Sequence, residues 1–371
     1  MLLFITDLSM WGCDMKPIKI ISPSFDLLGE IDNYESLQFT RRFFGVGEFE
    51  IHININKDHT DKLVKNNIIM LGSDVHKVGI IRYREINDDE LIIKGPTLDG
   101  IIGKRITLPD MITGYDRIAG NAETVMKHFI DSNCINPTDT NRKISQLINA
   151  TDEYRGVETP WQTRYENLAD VIKQIAEWCD IGWEVYLDIA SEKWVFDVVV
   201  GKNLTADQSL LPPVIFSPEF ENVEGTAYMV SALDAKNVGY AGGKGDEEER
   251  LVLQVGDAEG LDRDEIFLDC SDSEDSTELT SNGEQKLGEH GQIESFEAKI
   301  LLNNSFIYGT DWDLGDIVTI RKKKWSLTMN ARITEVKEIY ESAGFALEVV
   351  FGNSIPTLST KIKKDIKTIV R

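Results

Sequence analysis

The sequence is short of positive charge, of paired cysteines and of long apolar runs, and each shortage excludes a class of function. Of its 371 residues 39 are Lys or Arg and 63 are Asp or Glu, a net charge of −24. A phosphate-binding surface needs clustered cations, so specific nucleic-acid binding is not expected. Solubility is the ordinary use of such an excess. Cys13, Cys134, Cys179 and Cys270 stand far apart with no Cys-x-x-Cys. That fits a chain made in a reducing cytoplasm, not a disulfide scaffold. No run of 18 apolar residues occurs, so no membrane anchor is expected. The apolar start Leu2-Leu3-Phe4-Ile5 lacks a preceding basic residue and is broken by Asp7, so it does not read as a secretory signal. Met15-Lys16-Pro17-Ile18 resembles a second start, so residues 1–14 are either an artefact of the assigned start or a short docking arm, and residues 1–16 are set apart as an N-terminal extension.

Chemical signatures are equally scarce. Gly239-Tyr240-Ala241-Gly242-Gly243-Lys244 has glycines and a lysine, but its first glycine is misplaced for a phosphate loop and no Ser or Thr follows. No Gly-x-Ser-x-Gly elbow exists. His52, His59, His76, His128 and His290 lack metal-ligand spacing. Asp262-Arg263-Asp264-Glu265 and Asp272-Ser273-Glu274-Asp275 offer hard oxygen ligands, but neither fits a calcium loop with a glycine at the sharp turn. No catalytic residue, metal or cofactor is therefore expected. A calcium-binding adhesin and a cell-wall hydrolase stand as the alternatives.

What is present is strand patterning. Phe49-Glu50-Ile51-His52-Ile53-Asn54-Ile55 alternates, as a sheet with one wet face requires. Further strands are predicted at Ile18–Ile21, Leu37–Arg41, Val78–Ile86 and Leu91–Lys94, so residues 17–105 read as a small β-barrel or sandwich. The period then changes. Ala122, Val125, Met126, Phe129 and Ile130 follow Asn121 at helical spacing, and Leu168, Val171, Ile172, Ile175, Ala176 and Cys179 form a second stripe. With strands at Trp183–Leu187 and Trp194–Val200, residues 106–213 read as an α/β module. Residues 214–244 and 298–356 return to β, with strands at Tyr228–Leu233, Asn237–Tyr240, Ile317–Ile320, Ala331–Ile339 and Phe345–Phe351.

Between them lies an acidic interval, 245–297. It holds 7 Asp and 11 Glu against Arg250, Arg263 and Lys286, a local charge of 3 − 18, or −15. Strands are predicted in it at Leu251–Val255 and Ile266–Leu268. Its centre, Cys270 to Gly291, has almost no apolar periodicity and is expected to bury little. Residues 357–371 form a C-terminal tail in which Ile362, Ile366 and Ile369 share a helical side. An isolated helix of that length is marginal, so either these isoleucines make oligomer or docking contacts or the segment is a frayed basic tail.

Several stretches together resemble the tail-associated hub proteins of siphophages and prophages. They are Arg41-Arg42-Phe43-Phe44-Gly45-Val46-Gly47-Glu48-Phe49-Glu50, Lys94–Ile102 ending at Arg105, Asn237–Gly245 and Tyr308–Val318, in that order over roughly residues 17–355. The resemblance implies a mainly β fold with α/β character. Two small tail-tube-like β-barrels are separated by the α/β module, and the acidic interval is inserted in the second. It also implies a homotrimer between a distal tail ring above and a fibre or needle below, assembled in the host cytoplasm and carried at the virion tail tip. Enzymatic domains of larger relatives have no counterpart here, so no enzyme is expected. Independently of the family, Gly45 and Gly47 are expected to permit positive φ before a strand, Gly242 and Gly243 to lead out of one, and Gly315-Asp316 to turn the chain into Ile317–Ile320.

Overall fold

The computed structural model describes residues 15–109, 114–245, 249–271, 273, 275–302 and 304–352. Most of the N-terminal extension and the C-terminal tail, with Ile362, Ile366 and Ile369, lie outside the described residues. The protein is mainly β, 43% strand against 19% helix. The chain divides into two compact units, here taken one at a time. Described residues 15–225 with 298–349 form the larger, and 226–297 with 350–352 the smaller.

In chain order the larger unit opens with β1 (Ile18–Ile21), β2 (Leu27–Ile31), β3 (Ser36–Arg42), β4 (Glu48–Asn54), β5 (Ile68–Leu71), β6 (Val78–Ile80), β7 (Tyr83–Asn87) and β8 (Glu90–Pro96). β2-β1-β5-β6 is one antiparallel sheet, and β3, β4, β8 and β7 are consecutive neighbours in a second. The two pack face to face. Ile18 and Ile20 of β1 with Ile69 and Leu71 of β5 meet Leu37 and Phe39 of β3, Phe49, Ile51 and Ile53 of β4, and Leu91 and Ile93 of β8 in one buried cluster. Phe39 and Phe49 pair directly across the strands and stack, with ring centroids 6.5 Å apart. Each such fully buried side chain contributes about 1.5–3 kcal/mol.

The predicted strand Val78–Ile86 is instead two strands in different sheets. The Ile81 N–H donates to Asn67 O beside β5, and the next residue, Arg82, donates to Lys94 O on β8. The chain turns a sheet corner between them.

The α/β module contains β9 (Asp116–Asn121), α1 (Ala122–Ile130), β10 (Leu147–Asn149), β11 (Glu158–Thr163), α2 (Leu168–Cys179), β12 (Gly182–Asp188) and β13 (Lys193–Val199). Both helices start where predicted. Asn167 caps α2 by accepting the Ala169 N–H at 3.0 Å, and Asp180 ends it in the left-handed region at φ 50°. Asn121 precedes α1 but does not cap it; its amide donates to Gly156 O at 3.1 Å. The apolar stripes of α1 and α2 share one core with β12, β13 and the outer face of β5 and β6. The sheet holding β5 is therefore buried on both sides.

There follow β14 (Asn203–Leu204), β15 (Ile215–Phe216), β16 (Val223–Ser231), β17 (Val238–Gly242), β18 (Val252–Val255), β19 (Glu265–Asp269), α3 (Ser276–Gly288), β20 (Ile293–Ile300), β21 (Ile317–Lys322), β22 (Leu327–Glu341) and β23 (Gly344–Gly352). β22 pairs antiparallel with β3, which ties the far end of the chain to its beginning. β14 and β15 pair in parallel with β21. None of the sheets closes into a barrel. The expected pair of closed barrels is thus not what these sheets show, because strand spacing reports how many strands exist and not how they close.

In the smaller unit β17 lies between β18 and β19, antiparallel to the first and parallel to the second. α3 covers this sheet, and Ala241, Val255, Leu268, Cys270 and Leu279 form its core. The interval from Cys270 to Gly291, expected to bury little, forms this helix. Asp275 accepts the N–H groups of Thr277 and Glu278, and Gly283 lets α3 approach Ala241, where a Cβ would fall 2.8 Å from the methyl.

Candidate assembly surface

The glycines singled out from the sequence act by close approach more than by conformation. Gly45 and Gly47 do not adopt positive φ. A Cβ on Gly47 would stand 2.1 Å from Thr40 O and 2.7 Å from the Thr97 methyl, while its N–H donates to Thr97 Oγ1 at 2.9 Å. Gly47→Ala is expected to lower stability by about 1–3 kcal/mol through overpacking at the β3–β4 junction, measured by thermal denaturation; an unchanged midpoint would contradict it. Gly242 ends β17 against Phe267 and Arg250, and Gly243 lies against Leu279.

Gly315 does adopt positive φ, at 90°, and a Cβ there would strike the Phe43 ring. Beside it Asp316, 3% exposed, accepts the Lys202 N–H at 2.7 Å and the Asp313 N–H at 2.9 Å. Burial pushes its pKa up, and these two donors counter that. Gly315-Asp316 therefore does more than turn the chain; it pins the start of β21 to the segment entering β14.

A polar network missed at the sequence level ties β22 to the first β module. Glu338, 1% exposed, accepts Lys77 Nζ at 2.7 Å, Tyr308 OH at 2.8 Å and Tyr340 OH at 2.6 Å. Arg41 donates to Tyr308 OH at 2.6 Å and to Asp313 at 2.5 Å. Burial alone pushes the Glu338 carboxyl up, but the Lys77 charge, hydrogen bonds from Lys77 and Tyr340, and Arg41 hold it below its ordinary value. Each side chain of the network has a partner, although Arg41 Nε is buried without one.

The wet side of the same sheet is a charged groove of about 650 Å³ over β22, β3, β4 and β8. Arg42 bridges Glu335 at 2.6 Å and Glu48 at 2.7 Å, and Lys94 bridges Glu50 at 2.9 Å. The groove ends at β7, the edge strand in the strand order, where Tyr83 is 47% and Ile86 46% exposed. An edge of unpaired backbone groups is a template for another strand.

Among the described residues no His, Cys, Asp and Glu cluster could hold a metal ion. Cys134, Cys179 and Cys270 are free and buried, and burial pushes the Cys134 thiol up to about 12 and that of Cys179 to about 11. Such thiols are inert at neutral pH. No helix among the described residues is long and apolar enough to cross a membrane.

This arrangement is the fold of phage tail proteins. A 43 kDa tail protein of prophage MuSo2 from Shewanella oneidensis superposes with a TM-score of 0.56 at 11% identity, over 91% of this chain and 98% of its own. A tail protein from Neisseria meningitidis MC58 gives 0.56 at 11% identity, over 91% and 96%. Prophage tail protein gp18 from Listeria monocytogenes EGD-e gives 0.55 at 10% identity, over 96% and 100%. No curated protein matches the sequence. The chain belongs to the Siphovirus ReqiPepy6 Gp37-like protein family, whose profile matches residues 17–353, and it is a phage tail protein.

Proposed function

We propose that this tail protein is a non-enzymatic structural hub of the tail tip or baseplate. Three copies form a ring between the distal tail ring above and the receptor-binding fibre or needle below, and DNA passes through it during ejection. The observation that carries this reading is end-to-end likeness. The chain shares one fold with whole prophage tail proteins, over 91–96% of its own length and 96–100% of theirs. The open edge at β7 and the charged groove beside it give each copy a surface to present to the next. In this reading the two β modules complete tail-tube-like walls only within the ring, and closed cyclic contacts bury such edges efficiently. A net charge of −24 keeps passing phosphates from being gripped. Assembly takes place in the bacterial cytoplasm.

Reconstruction of the particle tests this. The chain is expected at the tail tip in three copies, with β7 against a neighbouring subunit. A location elsewhere on the tail, or a copy number other than three, overturns the reading.

A further inference from the structure

The hairpin joining β21 to β22 carries the longest unbroken run of cations in an otherwise acidic chain, Arg321-Lys322-Lys323-Lys324, followed at once by Trp325. Lys322 pairs with Leu327, so Lys323 to Ser326 form a four-residue loop, closed by the Ser326 N–H on Lys323 O at 3.0 Å with Ser326 at φ 52°. Arg321, Lys323 and Lys324 are exposed and make no ion pair among the described residues. Lys322 Nζ lies 3.3 Å from the centre of the Trp325 ring, and the indole remains 42% exposed. The Lys323 N–H donates to the Glu219 carboxylate at 3.0 Å, which sets the next residue, Phe220, 52% exposed, beside the loop.

Cations interleaved with exposed aromatics fit the boundary of an anionic bilayer. There Trp and Phe enter the headgroup region and Lys and Arg meet lipid phosphates. An acidic protein surface would reward the charges, but it would need an apolar pocket of its own to cover Trp325 and Phe220. The rest of the molecule does not cancel the effect, because at about 0.15 M salt charges act over only about 8 Å. We propose that the Arg321–Trp325 loop, with Phe220, is a docking tip for an anionic lipid surface.

The test is co-sedimentation of the full-length protein with vesicles of about one-third phosphatidylglycerol in phosphatidylcholine at about 0.15 M salt. Binding to these and not to pure phosphatidylcholine is expected. Each cation near the surface multiplies partitioning about fivefold, so Lys323→Gln with Lys324→Gln should weaken it roughly 25-fold. Trp325→Ser with Phe220→Ser should weaken it too, while Lys62→Gln with Lys65→Gln should leave it unchanged. Thermal denaturation of each variant shows that it is folded. Failure to bind the anionic vesicles, equal binding to neutral ones, or indifference to the tip substitutions overturns the proposal. So does equally tight, tip-dependent binding of free duplex DNA, which would mark a general polyanion patch.

Discussion

Glu338→Ala is expected to cost about 3–5 kcal/mol, the usual consequence of removing one partner from a buried charge pair. The carboxylate is the shared acceptor of Lys77, Tyr308 and Tyr340. Its loss leaves the Lys77 ammonium, 11% exposed, with only the longer Asp74 pair at 3.7 Å, and takes the acceptor from the Tyr308 and Tyr340 hydroxyls. Arg41 keeps Asp313 but loses the relay through Tyr308. Since Glu338 pairs with Phe39 across β22 and β3, the damage falls where the two ends of the chain meet. Urea denaturation of the variant is the measurement, and a loss below about 1 kcal/mol would show that the network contributes little. Lys77→Met in the same background should recover part of the stability, because an apolar group of similar volume leaves no charge unpaired. Additive losses would instead mean that the two groups act independently.

That network also marks the limit of what the sequence made legible. β4 and α2 could be read directly, since each shows one buried and one wet face and so a clean period. β5 could not. Ile68, Ile69, Met70 and Leu71 are all buried because one face meets the β sandwich and the other the helical module, which erases alternation. α3 was hidden because its buried surface is Leu279 and a glycine. Its signal was chemical: Asp275 followed three residues later by Glu278 is a capping pattern. Arg41 and Glu338 come together only through the register of β22 on β3, which no local pattern encodes. The charged groove was hidden for the same reason, its residues coming from separate strands. Gly47 and Gly315 were conspicuous as letters, but what they make room for, Thr40 O and the Phe43 ring, was not.

The pH dependence of stability should be set by the contact between β12 and the first β module. Asp99 Oδ1 accepts the Val185 N–H at 2.6 Å, and Thr97 Oγ1 donates to Oδ2 at 2.6 Å. Close by, His76 bonds Glu184 at 3.0 Å and leans on Tyr186, and the Leu187 N–H donates to Val75 O at 3.1 Å. Burial pushes the Asp99 carboxyl up to about 7, and the Glu184 charge adds to this while Arg41 opposes it. The hydrogen bond to Glu184 raises His76 above its ordinary value; Asp74 adds to this and Arg41 opposes it. Both folded-state values are raised, so both groups contribute stability that is full below their unfolded values and lost as pH rises through the folded ones. For Asp99 the loss runs from about pH 4 to 7, and for His76 it lies above about 6.5. Glu123, held down to about 2 by bonds from Arg155 and Lys127 that outweigh its burial, works the other way and gives up its contribution only in stronger acid. The protein should therefore be more stable near pH 5.5 than at pH 8. Asp99→Asn should abolish most of the difference, because the amide oxygen can keep the Val185 N–H and the amide nitrogen can face Thr97. At pH 8 the variant should be more stable than the parent by about 2 kcal/mol. The rise from the ordinary carboxyl value to about 7 corresponds to about 4 kcal/mol, and the partial exposure of the residue discounts that figure. Denaturation at both pH values, with hydrogen exchange at the Val185 and Leu187 amides, makes the comparison. A variant that is destabilised at pH 8, or that keeps the parent's pH profile, would place the titrating groups elsewhere.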